Sequence, residues 1–180
     1  MPRFMYFSII GLMMSAVALP ASAANIFCTV VGAKQGQFQA DPALRSDASS
    51  QILVYSLTEE LSVPFDPASG QITGRRQHSP VIIVKELDKS SPQFFTAAVT
   101  NETLRTVTCT LYRNSGGAMH AYYKIVLTNA SIVEIKDSGD GVNGSAQGDE
   151  RERISFAYQK IELTDLDSST TAIDDWLSPG

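Results

Sequence analysis

The sequence predicts a mainly β, antiparallel protein with one short α-helix. Short runs of β-branched and aromatic residues recur along the 180-residue chain, each bounded by turn formers, and such residues suit a pleated, half-buried surface. Strict alternation is clearest in residues 106–113, where Val107, Cys109 and Leu111 face one way and Thr106, Thr108 and Thr110 the other. Helical spacing is convincing once: Phe94, Phe95, Ala98 and Val99 follow two serines and a proline and give a short amphipathic helix ending near Asn101.

The first residues stand outside that fold. Arg3 supplies a positive start, FMYFSIIGLMMSAVALP is an apolar stretch, and Ala21-Ser22-Ala23 offers small residues at a cleavage site. Residues 1–23 are read as a secretory signal peptide cut between Ala23 and Ala24, and residues 24–180 as one domain. An uncleaved anchor would need roughly 20 apolar residues with charged or aromatic flanks. Cleavage removes one charge, Arg3, and leaves 13 Lys+Arg against 19 Asp+Glu, a balance of −6. A mildly acidic chain with no basic run beyond GRRQH at residues 74–78 argues against nucleic acid and, once the leader is gone, against a membrane as partners.

The strands follow in order. IFCTVV ends at Gly32, QILVYSL at a polar break, and VIIV in the charged corner KELDKSSPQFF of residues 85–95. In that corner Ser90 or Ser91 is placed to cap the helix and Pro92 to occupy its first position, where no N–H is needed. QILVYSL and VIIV are apolar on both phases, so a second sheet, the helix or another subunit must cover them. TVTCTLYR, YYKIVLT, ASIVEIK and ERISFAYQKIEL complete the series. In the last, Ile154, Phe156 and Tyr158 share a phase that shifts to Ile161 and Leu163, which requires a bulge near Gln159 and Lys160 or a change of packing partner. The tail from about residue 165 is polar apart from Ile173, Trp176 and Leu177, and is either frayed or pinned by the tryptophan.

Cys28 lies in phase with Ile26 and Val30, and Cys109 with Val107 and Leu111, so both point inward. Export permits a bridge between them; the alternative is two buried thiols.

Chemistry leaves little trace. The histidines are His78 and His120, and there is no His-Glu-x-x-His, Gly-x-Ser-x-Gly, phosphate-binding glycine loop or cysteine-rich metal spacing. No catalytic residue, cofactor or metal site is assigned. DSGDGVNG, with Asp137, Asp140 and Asn143, misses the spacing of a calcium loop. Three Asn-x-Ser/Thr tripeptides, at Asn101, Asn129 and Asn143, are too short to carry weight.

The ordered series is more specific. His78-Ser79-Pro80 precedes the VIIV strand, Lys85, Asp88, Ser91 and Pro92 form K-x-x-D-x-x-S-P, and YYKIVLTNASIVEI and ERISFAYQKIEL follow, with IFCTVVGAKQG at the start and Asp175-Trp176 at the end. Together these resemble the haemolysin co-regulated protein (Hcp) family, the tube subunits of type VI secretion, across nearly the whole mature chain. The resemblance implies a β-barrel of two packed antiparallel sheets with one helix at its side. It further implies homo-hexameric rings stacked into a tube that carries effector proteins in its lumen, with spike and sheath proteins as partners and no enzymatic reaction. On that basis His78, Pro80, Lys85, Asp88, Ser91 and Pro92 are candidate assembly contacts, with the charged corner offering charge to a neighbouring subunit. The chain departs from the family at its start, since tube subunits are built in the cytoplasm and ordinarily lack a cleaved leader. An exported relative that binds proteins outside any tube is the alternative.

Overall fold

The computed structural model describes residues 25–41, 50–139 and 150–177. Residues 1–24, with Ala23 and Ala24, and the segment holding Asp140 and Asn143 lie outside the described residues. In chain order the elements are β1 (Asn25–Gly32), β2 (Gly36–Gln37), β3 (Ile52–Val54), β4 (Ser56–Thr58), β5 (Leu61–Ser62), β6 (Gln77–His78), β7 (Val81–Glu86), α1 (Ser91–Val99), β8 (Leu104–Ser115), β9 (Ala118–Ser138), β10 (Arg151–Ala157), β11 (Lys160–Asp165) and β12 (Thr170–Asp175).

All pairings of named strands are antiparallel, and the strands close on themselves. β1 pairs with β8, β8 with β9, β9 with β10, β10 with β7 and β7 with β4. The circuit is closed by residues 52–58, whose first half, β3, pairs with β1 while its second half, β4, pairs with β7. Closure leaves few open edges to template pairing with other chains. The double apolar phase of QILVYSL has its cause here: Ile52 and Val54 are buried, Leu53 and Leu57 half-buried, and Tyr55 is the exposed residue where the segment turns from one sheet to the other.

Strand β9 makes the matching corner on the far side. Residues up to Ala130 pair with β8 and those from Ser131 pair with β10, and just before the change Asn129 takes a positive φ of 50°. A left-handed residue bends a strand, and asparagine tolerates that conformation better than most. Opposite it the predicted phase shift appears as a break: β10 ends at Ala157, and β11 starts at Lys160 against the first half of β9 and against β12. The partner changes, so Ile154 and Phe156 are buried in one sheet and Ile161 in the other. At the β8–β9 hairpin Gly116 and Gly117 both take positive φ, as a tight two-residue turn requires.

Half of the face that the helix spacing suggested turns inward: Phe94 is buried and Ala98 half-buried. Phe94 and Ala97 are buried, with the Phe94 ring 5.1 Å from Phe38 and 6.2 Å from Phe156, whereas Phe95 and Val99 point outward. Pro92 stands in its first turn, but neither serine caps it by the expected route. Ser90 occupies the cap position without accepting a side-chain bond from the helix, and its hydroxyl instead donates to Asp88 Oδ1 at 2.5 Å. The C-terminus is closed by backbone bonds from Asn101 N–H to Ala98 O and Glu102 N–H to Ala97 O, with Asn101 at φ 50°. This is the Schellman arrangement.

Candidate functional site

The K-x-x-D-x-x-S-P motif folds into one buried polar cluster. Lys85 follows Val81 and Ile83 on the inward phase of β7, and Glu152 precedes Ile154 and Phe156 on the inward phase of β10; the two are register partners, each 1% exposed. Lys85 Nζ lies 2.9 Å from Glu152 Oε2 and donates to Glu86 O at 2.7 Å, Asp88 Oδ1 at 2.8 Å and Ser91 Oγ at 2.9 Å. Ser91 Oγ donates to Glu152 Oε2 at 2.7 Å and accepts from the Asp88 N–H at 3.1 Å. Asp88 Oδ1 also accepts from the Ser90 N–H at 2.8 Å. The face of Phe94 lies beneath the ammonium, 5.8 Å from ring centre to Nζ, a distance at which a ring attracts a cation.

The motif therefore locks a strand to a turn and a helix start. Within the chain Lys85 pairs with both Asp88 and Glu152, because a lysine on the inward phase of a closed barrel must be neutralised there. Of the charges in the corner, Glu86 and Lys89 are exposed, Glu86 accepting from Tyr55 Oη and Lys89 paired with Asp41 at 2.8 Å.

A second buried carboxylate joins the helix end to the first hairpin. Glu102 Oε1 accepts from the N–H groups of Lys34 at 2.6 Å and Gln35 at 2.8 Å, and Oε2 from Gln35 Nε2 at 3.0 Å. Gly32 lies against it, and an added Cβ would displace Glu102 Oε1 from these donors. Burial alone pushes the Glu102 carboxyl up, yet donation by the Gln35 and Lys34 N–H groups outweighs it and the pKa lies below the ordinary value. A depressed carboxylate stabilises fully above the unfolded pKa of about 4.3, and that contribution is lost as pH falls through the folded pKa. Glu102→Gln should cost about 1–2 kcal/mol at neutral pH and flatten the acid limb of the urea midpoint plotted against pH.

His78, on β6, clamps the tail. Its Nε2 is 2.8 Å from Asp174 Oδ2, and its Nδ1 is 3.1 Å from Tyr158 Oη. Arg76 pairs with the same Asp174, which the guanidinium holds well below the usual carboxylate range, His78 adding to the effect. Burial, then the charges of Glu59 and Asp174, push the Tyr158 phenol up to about 12. Asp174, held ionised, accepts from the His78 Nε2–H. The Trp176 ring stands edge-on to His78 at 5.1 Å, and its Nε1–H donates to Tyr158 O at 2.7 Å. The tail is pinned, as strand β12 on β11 and by this clamp. Pro80 sits between β6 and β7, next to Ser79, whose N–H donates to Glu60 O at 3.0 Å. Removing the clamp with Asp174→Ala should speed amide exchange in β12 by about tenfold, equivalent to about 1.4 kcal/mol, and leave β10 unchanged.

The remaining sequence candidates are placed as follows. His120 pairs with Asp167 at 2.6 Å on the surface. Cys28 and Cys109 are joined by a disulfide between register partners of β1 and β8. Asn101 and Asn129 owe their places to backbone geometry, and Asn129 Nδ2 also donates to Gln159 Oε1 at 2.9 Å. Among the described residues no three metal-ligating side chains are brought together, and no helix is long and apolar enough to cross a membrane. Glu102 and Glu152 were not singled out by the sequence; for Glu152 the available sign was a charge on the inward phase of a strand.

Fold and polar locks together define a closed β-barrel with a flanking helix, in which the charged motif is structural. The chain belongs to the Hcp family: residues 42–164 match the family model described as type VI secretion system effector, Hcp. It is 36% identical over 164 residues to the Major exported protein of Pseudomonas aeruginosa, a match covering 85% of this chain and 95% of that one. Its fold is similar to that of an Hcp protein known from a crystal structure, with a TM-score of 0.78 and 25% identity over 88% of this chain and 100% of the other. It also resembles the secreted protein Hcp3 of Pseudomonas aeruginosa, with a TM-score of 0.70 and 30% identity over 87% and 100% of the two chains.

Proposed function

We propose that this chain is a ring-forming structural subunit of a type VI secretion tube, stacking as hexamers, carrying effector proteins in the lumen and meeting spike and sheath proteins, with no reaction of its own. The observation that carries the proposal is the placement of exposed apolar side chains. Between β5 and β6 the chain runs out as an arm, where Phe65 and Ile72 bridge each other yet are 62% and 72% exposed. On the outer face of α1, Phe95 and Val99 are each 61% exposed. Apolar surfaces on two separate elements suit a heterologous contact, in which one surface of a copy meets a different surface of the next and rotation closes a ring. Family membership supports the ring geometry and the number six. The name of the relative from Pseudomonas aeruginosa and the leader-like residues 1–23 support export.

Light scattering and native mass on the mature protein across concentration test the proposal. Six copies are expected, with Phe65→Asp/Ile72→Asp giving monomers of unchanged circular dichroism. A strictly monomeric wild type at high concentration would remove the tube reading and leave an exported, monomeric protein-binding module.

A further inference from the structure

We propose that the Cys28–Cys109 pair records the redox state of the compartment in which the chain folds: the bridge forms while the barrel is open and neither forms nor breaks once it has closed. The two residues are directly opposite on adjoining strands, with Cα atoms 4.1 Å apart. Neither strand is an edge at this point. Cys28 has Ile52 of β3 as its partner on the other side and Cys109 has Ile125 of β9, and both isoleucines are buried. The cysteines themselves are 0% and 2% exposed within the apolar core.

Thiol–disulfide exchange requires a thiolate to reach a sulfur. Closing the bridge joins the two sulfurs and releases two protons and two electrons, which a disulfide such as oxidised glutathione or an oxidant protein accepts as its own S–S bond becomes two thiols. Reduction runs the same steps backwards through a mixed disulfide. Either direction needs an outside reagent at the centre of the barrel, so it must wait for β1 and β8 to separate, an opening on the scale of global unfolding. A chain folded in a reducing compartment leaves it as a dithiol and stays one after delivery, whereas a chain carried unfolded into oxidising surroundings acquires the bridge. The inference is independent of ring formation.

The order of folding and oxidation supplies the test. Reduced, unfolded protein diluted into buffer with oxidised glutathione should bridge at least about a hundredfold faster than the same protein folded first under reductant and exposed afterwards, read by alkylation under denaturing conditions and mass. Similar rates would overturn the proposal. Should the reduced chain not fold, the reverse direction decides: reduction of the bridged protein by dithiothreitol should rise with urea in step with the unfolded fraction, and a rate independent of urea would overturn it.

Discussion

Lys85→Met is expected to lower stability by about 3–5 kcal/mol, the usual cost of removing one partner from a buried ion pair. Methionine retains the length and apolar contact of the lysine stem, so the loss falls on charge and hydrogen bonding. Glu152, 1% exposed, keeps only the Ser91 hydroxyl among the donors described for it, while Asp88 retains the Ser90 N–H and hydroxyl. The stranded charge is therefore that of Glu152. Adding Glu152→Gln to Lys85→Met should recover part of the loss, because the uncompensated carboxylate is gone. Urea unfolding at one fixed protein concentration, since association adds to apparent stability, measures both. No recovery in the double variant would show that Lys85 acts through the turn geometry of Asp88 and Ser91 instead of through charge.

The barrel strands were legible because each carries its own period. The alternation around Cys109 fixed an inward face, and the phase shift between Phe156 and Ile161 foretold the change of partner that separates β10 from β11. The polar locks were harder to read because their partners are distant: Lys85 and Glu152 meet across a pairing of β7 with β10, and His78 reaches Asp174 over 96 positions. Local sequence sets the phase of a strand but not its neighbour. Had phase been applied to charges as well as to apolar residues, Val81-Ile83-Lys85 would have placed the lysine inside and called for a buried acid opposite. The helix failed differently. Phe94 and Phe95 are equivalent by spacing, and the choice between them rests on the gap between Phe38 and Phe156, which exists only once the barrel has closed.

Opening the Cys28–Cys109 bridge should remove about 4–5 kcal/mol of stability, the loop-closure entropy expected for a cross-link between residues 81 positions apart. The span takes in β2 to α1 together with parts of β1 and β8, so the bridge restricts the unfolded chain far more than any local contact could. Two comparisons separate that effect from packing. Reduced wild-type protein keeps both sulfurs in the core and loses only the covalent link, whereas Cys28→Ala/Cys109→Ala loses the link and adds a small cavity beside Val30 and Val107. The alanine variant should therefore be less stable than reduced wild type by about a further 1–2 kcal/mol. Guanidinium unfolding of oxidised, reduced and variant proteins at the same concentration measures all three. Because the link acts on the unfolded state, the oxidised protein should also show the smaller denaturant slope, as a constrained chain exposes less new surface. Equal stability of the oxidised and reduced forms would mean that the register of β1 on β8 is held by the barrel alone, and that the bridge adds nothing to the equilibrium.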